Sequence, residues 1–233
     1  MYSRTQGDTT YTFEPSGGLL HAALVMQDRE TDSYWSILTD DAIYGAEKGA
    51  QLRQLTGSMK TTFGQWKALH PNTKVLSVEG KQHVESSPYD NYFDSDEGFR
   101  GLKAKDDRLA DKAEIFGFHF DNRAIAIPHA LFENGGALFE VGDRKIFLYR
   151  EKEDSHYQGT VAMLIKPHFN LSKDDGKWSL STPDGREVGF KPEKRSFGVR
   201  GAITRPITGF DTFWYQWSLT NPETSIIEQA VLP

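Results

Sequence analysis

The side chains with the clearest chemical potential stand together in a short polar stretch. It contains Asp28, Glu30, Thr31 and Ser33. Two carboxylates this close could transfer protons or bind a metal ion. The same side chains could instead satisfy the backbone N–H groups of a hairpin turn, as Asp, Ser and Thr often do. Because the flanking sequence reads as two strands that need a turn between them, we expect this stretch to be structural.

Histidine is the second residue type that could do chemistry here. The chain has seven, at His21, His70, His83, His119, His129, His156 and His168. No two have the i, i+4 spacing of a metalloprotease helix, and no H-x-H strand pair occurs. We therefore predict no metal site from local spacing. We interpret the charged segment "EKEDSHY", residues 151–157, as a solvated turn.

Several classes of function are excluded by composition and by missing motifs. The chain has no cysteine, which removes thiolate nucleophiles and cysteine metal sites. A net charge of −6 argues against nucleic acid, whose phosphates require clustered Lys and Arg. No apolar run approaches the roughly 18 residues that span a bilayer, so we expect no membrane insertion. The start of the chain lacks the apolar core of a signal peptide. Nucleophile and phosphate-loop motifs are missing, so no cofactor is indicated.

An aromatic loop is the strongest candidate for binding. "SSPYDNYF" places Tyr89 and Tyr92 in a polar stretch, and aromatic residues in loops often contact ligands. His70 and Arg108 could add charge or a proton-transfer group. We predict a ligand site formed by Tyr89, Tyr92, Arg108 and His70. Two structural readings stay open: the tyrosines could pin the Pro88–Phe93 loop, and Arg108 could pair with a neighbouring aspartate.

The elements that would position these residues are mostly strands. Leu20, Ala22, Leu24 and Met26 alternate before the polar turn, and "SYWSIL" follows it. "AEIFGFHFDNRAIAI" predicts a hairpin that turns at Asp121–Asn122, and "ALFEVGDRKIFLYRE" predicts one that turns at Gly142–Asp143. "TVAMLI" adds another strand. The predicted fold is mostly β (α+β), built from antiparallel hairpins.

A repeated pattern suggests an internal duplication. "WKALHPNT", from Trp66, and "WSLTNPET", from Trp217, share W-x4-P-x-T and are each followed by an apolar pair. Each copy predicts a short helix, a proline that ends it, and a strand, "TKVLSV" or "TSIIE". We expect each tryptophan to be buried against the strand pair of its own copy, around Trp35 or within "KWSLSTPDGREVGF".

The caps and apolar faces of the two repeated helices can also be assigned. Thr61 or Thr62 can cap the first helix, whose apolar stripe is Phe63, Trp66 and Leu69. Asp211 can cap the second helix, with Phe213 and Trp217 facing inward.

The repeat divides the chain into three segments. Residues 1–78 form an N-terminal repeat-like half, 79–111 a polar aromatic loop, and 112–233 a hairpin region with the C-terminal repeat-like half; together they could be one compact domain. We expect a module that binds a small ligand in a cleft between the halves. An enzyme with converging His and Asp or Glu residues, hydrolytic or metal-assisted, is one alternative. A structural or interaction domain is the other, and the oligomeric state is not indicated.

The ordered segments of the chain resemble a bacterial and archaeal family of domains of unknown function, DUF3179. The resembling segments are "LVMQDRETDSYWSIL", "AIYGAEKGAQL", "FGQWKALHPNTKVL", "PYDNYF", "DDRLADKAEIFGF", "AIAIPHAL" and "FDTFWYQWSLTNPET". The resemblance implies an extracytoplasmic location for many members and no established activity. Family members often carry a Cys-containing segment just before the region where this chain begins. Asp32 stands where the family has Gly, and His21 stands where it often has Asn.

Overall fold

The computed structural model describes residues 1–55, 60–77, 89–151, 159–198 and 204–232. Strands outnumber helices in these ranges, which confirms the predicted mostly β fold class. In chain order the strands are β1 (Thr5–Gln6), β2 (Thr9–Thr10), β3 (Phe13–Leu20), β4 (Ala23–Asp28), β5 (Tyr34–Ser36), β6 (Ala42–Tyr44), β7 (Glu114–Phe120), β8 (Arg123–Pro128), β9 (Ala137–Val141), β10 (Arg144–Tyr149), β11 (Val161–Ile165), β12 (Asn170–Asp174), β13 (Lys177–Ser181), β14 (Glu187–Gly189), β15 (Thr204–Pro206), β16 (Phe210–Phe213) and β17 (Ser225–Ile226). The helices are α1 (Phe63–Leu69), α2 (Asp90–Phe93) and α3 (Trp214–Thr220), with 3-10 turns at Phe99–Gly101, His129–Leu131 and Pro192–Lys194.

The chain folds into two compact units that interleave along the sequence. The first unit consists of Met1–Ser58, Glu97–His129 and Ile207–Ile227. The second consists of Met59–Asp96, Ala130–Pro206 and Glu228–Pro233. Each unit therefore takes three separate parts of the chain.

The first unit contains the sheet β3-β4-β5-β6, which confirms the predicted turn after β4. The Asp28 N–H donates to the Ser33 carbonyl at 3.0 Å and closes this turn. Leu24 and Met26 share one face of β4 as predicted, and Met26 packs against the cluster around Trp35, although Leu24 is 38% exposed. A tight turn at His21–Ala22, with φ angles of 50° and 62°, separates β3 from β4, so the predicted alternation does not extend back to Ala22 and Leu20.

The first unit also contains a second sheet, β16-β7-β8-β17, and helix α3 packs against β16 and β7 of this sheet. Its β7–β8 hairpin turns at Asp121–Asn122 as predicted, with the positive φ angles of 49° and 60° that a type I′ turn requires. Trp217 of α3 lies on Gly117 of β7, where an added Cβ would be 2.5 Å from the indole Cε3 atom. A side chain at position 117 would therefore displace the helix.

The second unit contains the sheets β15-β11-β10-β9 and β12-β13-β14. The β9–β10 hairpin turns at Gly142–Asp143, and β11 is the strand predicted from "TVAMLI". The core of the second unit is aromatic. In it, the ring centroids of Phe147 and Trp178 lie 5.0 Å apart. The Trp178 indole donates to the Gly135 carbonyl at 2.5 Å, so the ring is fixed at its polar end too.

The two repeated segments have the same local hydrogen bonds. Trp66 Nε1 donates to Thr73 Oγ1 at 2.9 Å, and Trp217 Nε1 donates to Thr224 Oγ1 at 2.9 Å. The C-cap residues also agree, with φ and ψ of −132° and 70° at His70 and of −125° and 71° at Asn221. These matches support a common origin for the segments, which remains a proposal.

The burial of the two segments differs, so part of the prediction was wrong. Trp217 is fully buried, as expected, but Trp66 is 38% exposed and no residue of α1 is buried. Residues 73–77 form no strand, and Leu76 is 97% exposed; Val78 lies outside the described residues. Asp211 is not the cap of α3, because the N-cap position falls on Phe213.

The two helices also pack on different parts of the fold, because α3 lies on β7 and β16 whereas α1 contacts the 3-10 turn Pro192–Lys194. The first unit contains β4 and β5, with Trp35, together with α3 of the other copy. The second unit contains β13, with Trp178, together with α1. Trp217 is therefore buried against β7 and not against the strand pair of its own copy.

Candidate functional site

Helix α1 forms because its first turn is fully capped. Thr62 is the N-cap, and its side chain accepts from the Gln65 N–H while the Gln65 side chain accepts from the Thr62 N–H. This reciprocal capping box satisfies two donors that would otherwise have no acceptor. Pro71 follows the C-cap and prevents further helix. Thr61, Gln65, Ala68 and Leu69 share one face of this segment by their helical spacing.

That face of α1 lines a pocket within the second unit. The pocket has a volume of about 470 Å³, which is within the range of small-molecule sites. Its other walls are the end of β10, the start of β11 and the 3-10 turn after β14. The lining residues are Thr61, Gln65, Ala68, Leu69, Tyr149, Arg150, Glu151, Gly159, Val161, Pro192, Glu193 and Arg195.

Arg195 holds two of the pocket walls together. Its Nη1 atom donates to the Lys60 carbonyl at 2.8 Å, and its Nη2 atom donates to the Gly159 carbonyl. The Gly159 N–H also donates to the Lys60 carbonyl, at 3.1 Å. The segment before α1 is therefore tied to the segment before β11. Arg195 is the C-cap of the 3-10 turn Pro192–Lys194 and has a left-handed φ of 50°.

Tyr149 and Glu151 form the polar wall at the end of β10. The Tyr149 hydroxyl donates to Glu151 Oε1 at 2.8 Å. Burial raises the pKa of Tyr149, and the hydrogen bond to Glu151 and its negative charge raise it further. The phenol therefore stays protonated over the physiological pH range and remains a hydrogen-bond donor.

The pocket lining combines charged groups with apolar surface. Arg150, Arg195, Glu151 and Glu193 bring two charges of each sign. Ala68, Leu69, Val161 and Pro192 supply apolar surface. No histidine is among the described residues that line the pocket. This combination of apolar surface with a few polar groups is typical of ligand sites.

The four predicted site residues lie elsewhere, and none lines this pocket. Arg108 belongs to the first unit, whereas His70, Tyr89 and Tyr92 belong to the second. Tyr89 precedes α2 and is 61% exposed, and the Tyr92 ring lies 5.5 Å from that of Phe93. The His70 ring lies 4.2 Å from the Trp66 ring. Pro88 lies outside the described residues, and a ligand-binding role for the four residues remains a prediction.

Arg108 adopts the alternative arrangement considered from sequence, a pair with a neighbouring aspartate. Its Nε and Nη2 atoms donate to the two carboxylate oxygens of Asp106 at 3.0 and 2.9 Å. Nη1 donates to the Thr224 carbonyl at 2.9 Å, and the guanidinium lies 5.2 Å from the Trp214 ring centroid. These contacts connect the loop before β7 to both ends of α3.

One histidine does converge with carboxylates, although no spacing in the sequence predicts this. In the first unit, His129 Nδ1 lies 3.2 Å from Glu114 Oε2 and Nε2 lies 3.0 Å from Asp211 Oδ1. His129 is only 3% exposed, and the three side chains connect β7, β16 and the 3-10 turn that follows β8. Among the described residues no group of three such side chains is arranged to hold a metal ion.

The pocket was missed, although part of its signal is visible. Thr61, Gln65, Ala68 and Leu69 recur at helical spacing and so share one helix face. Tyr149 and Glu151 alternate onto one side of an extended segment. What the sequence does not contain is the contact of Arg195 with Lys60 and Gly159, which depends on tertiary structure. Of the charged segment 151–157, only Glu151 is described.

Comparison with known proteins gives one match. The model of the family described as "Protein of unknown function (DUF3179)" matches residues 1–224. Neither the curated proteins nor the solved structures contain a match to this chain. Within the described ranges, none of the helices is both long enough and apolar enough to cross a membrane.

Proposed function

Because the chain belongs to the DUF3179 family, whose description assigns no activity, we propose its function from the pocket: it is a non-catalytic module that binds a small molecule in the second unit. The volume of about 470 Å³ and the mixed lining support this proposal. The predicted binding function is kept, with the site now assigned to the pocket beside α1.

The observation that carries the proposal is that equivalent faces of the two repeated helices have different surroundings. In α3 the matching glutamine, Gln216, donates from Nε2 to the Ala22 carbonyl at 3.1 Å. In α1, Gln65 occupies the same position but lines the pocket. A face that packs on protein in one unit thus borders a cavity in the other. Arg195 ties the neighbouring backbone segments together, which favours a pre-formed site.

The test is a thermal-shift screen of polar metabolites against wild type and two matched variants. Ala68→Trp fills the pocket, whereas Lys67→Trp places the same ring at the neighbouring exposed position, outside the pocket lining. We expect metabolites that raise the melting temperature of wild type and Lys67→Trp but not of Ala68→Trp. Compounds that stabilise all three proteins equally would contradict the proposed site.

An interaction domain is the second candidate function, and exposed apolar side chains favour it. Phe63, Trp66 and Leu76 are 57%, 38% and 97% exposed, on α1 and the segment after it. Large exposed apolar groups often mark protein contacts. Size-exclusion chromatography of wild type and Leu76→Ser, alone and with cell extract, tests it. Elution that is unchanged by extract and by the substitution would count against this candidate.

A further inference from the structure

We propose that the pocket of the second unit binds a zwitterion of the amino-acid class, an inference that rests on the proposed function. Two guanidinium groups, of Arg150 and Arg195, and two carboxylates, of Glu151 and Glu193, line the same pocket. Their charges cancel, so a purely anionic or cationic ligand would meet a like charge as well as an opposite one. A molecule that carries one charge of each sign can match both.

Glu151 is the group that would receive the ammonium end. The Tyr149 hydroxyl donates to its Oε1 atom at 2.8 Å, which fixes the carboxylate at the end of β10. A carboxylate held by a buried phenol loses little conformational freedom when a cation binds. The raised pKa of Tyr149 keeps this donor protonated, so the positioning persists over the whole physiological pH range.

Gln65 is the group that would donate to the carboxylate end. Its Oε1 atom accepts from Thr61 Oγ1 at 2.7 Å and from the Thr62 N–H at 3.4 Å. Because Oε1 of Gln65 already accepts these two hydrogen bonds, the Nε2 atom is the part of the amide that can donate to a ligand. Gln216 has the same threonine bond, from Thr212 Oγ1 at 2.8 Å, and its Nε2 atom donates to a backbone carbonyl. We infer that a ligand oxygen takes the place of that carbonyl at Gln65.

The apolar part of the lining accounts for a hydrophobic side chain on the ligand. Leu69, Val161 and Pro192 line the pocket together with the charged groups. A volume of about 470 Å³ accommodates an amino acid such as leucine with room for water. L-leucine is therefore a suitable probe for the ligand class.

Calorimetric titration with three related probes tests the proposal. L-leucine carries both charges, N-acetyl-L-leucine lacks the ammonium, and L-leucine methyl ester lacks the carboxylate. We expect both derivatives to bind at least about ten-fold more weakly than leucine, since each loses a charged hydrogen bond. Equal binding of either derivative would overturn the zwitterion assignment.

Substitutions at the two recognition groups sharpen the test. Gln65→Glu keeps the acceptor for the capping box but presents a negative charge to the ligand carboxylate, and Glu151→Gln removes the charge that pairs with the ammonium. Each should weaken leucine binding by at least about ten-fold. The matched control, Gln216→Glu in α3, should leave the leucine affinity unchanged. If Gln216→Glu lost leucine affinity while Gln65→Glu and Glu151→Gln kept it, the assignment would be contradicted.

The outcomes separate this inference from the proposed function. If leucine does not bind but other metabolites do, and Ala68→Trp blocks them, the pocket is a ligand site and only the zwitterion assignment fails. If no compound binds in a manner that depends on Ala68, both proposals fail.

Discussion

Asp28 is the side chain for which the structure changes the prediction most. Its turn was predicted, but the carboxylate is fully buried and does more than cap the backbone. Oδ2 accepts from the Trp35 indole at 2.7 Å, and Oδ1 accepts from the Thr31 N–H at 2.6 Å. Asp28→Ala would leave the buried indole N–H without an acceptor. We therefore expect the free energy of unfolding, measured by urea denaturation, to fall by about 3 kcal/mol. Loss of a cap alone would lower it by only about 0.5–2 kcal/mol.

The same carboxylate predicts an acid-dependent stability. Burial acts to raise the pKa of Asp28, but the hydrogen bonds from Trp35, Thr31 and Ser33 together outweigh it and lower the pKa. A lowered folded-state pKa stabilises the protein above the unfolded pKa of about 3.9, and this contribution is lost as the pH falls through the folded value. Unfolding measured at pH 7 down to 3 should show a smaller decline in Asp28→Asn than in wild type. Parallel curves would refute this role.

Two aspartates with left-handed backbone make a contrasting pair. Asp32 has φ of 54°, and Asp40 has φ of 64°. Asp32→Gly should raise the free energy of unfolding by about 0.5 kcal/mol, because glycine adopts this backbone without steric cost. Asp40→Gly should lower it by about 2 kcal/mol, because the Asp40 carboxylate accepts from Tyr2 at 2.5 Å and from Gln54. Chemical denaturation of both variants checks the opposite signs.

Among the elements, α3 depends on one glycine of the strand beneath it. An added Cβ at Gly117 would lie 2.5 Å from the Trp217 ring, so Gly117→Ala should lower the free energy of unfolding by about 1–3 kcal/mol through overpacking. Gly189 of β14 is the matched control, since nothing lies within 4 Å of an added Cβ and its φ is not positive. Thermal unfolding in which both alanine variants behave alike would contradict the described packing.

The two repeated helices should respond unequally to the same truncation. Trp217→Ala removes a fully buried indole and should cost about 3–5 kcal/mol. Trp66→Ala removes a ring that is 38% exposed and should cost about 1 kcal/mol. Equal losses in denaturation midpoint would show that α1 is packed as tightly as α3. The unequal result is expected because α3 packs on β7 and β16, whereas α1 contacts the 3-10 turn Pro192–Lys194.

At the scale of the whole molecule, local features were predictable and long-range ones were not. Turn residues such as Asp121–Asn122 specify backbone conformation directly, so the hairpins were predicted correctly. The burial of Trp66 was predicted wrongly. The W-x4-P-x-T pattern forms the same helix in both units, but distant strands decide whether the tryptophan of that helix is covered. The pocket depends likewise on Arg195 reaching Lys60 and Gly159, which no local spacing encodes.

The central claim is that the pocket beside α1 is where this protein binds a small molecule. A crystallographic fragment screen tests it most directly, because it locates bound molecules without assuming their identity. We predict that polar fragments accumulate among Gln65, Glu151 and Arg195, with electron density in contact with the Gln65 amide. Fragments that occupy other surfaces while leaving the pocket of about 470 Å³ to solvent would contradict the claim.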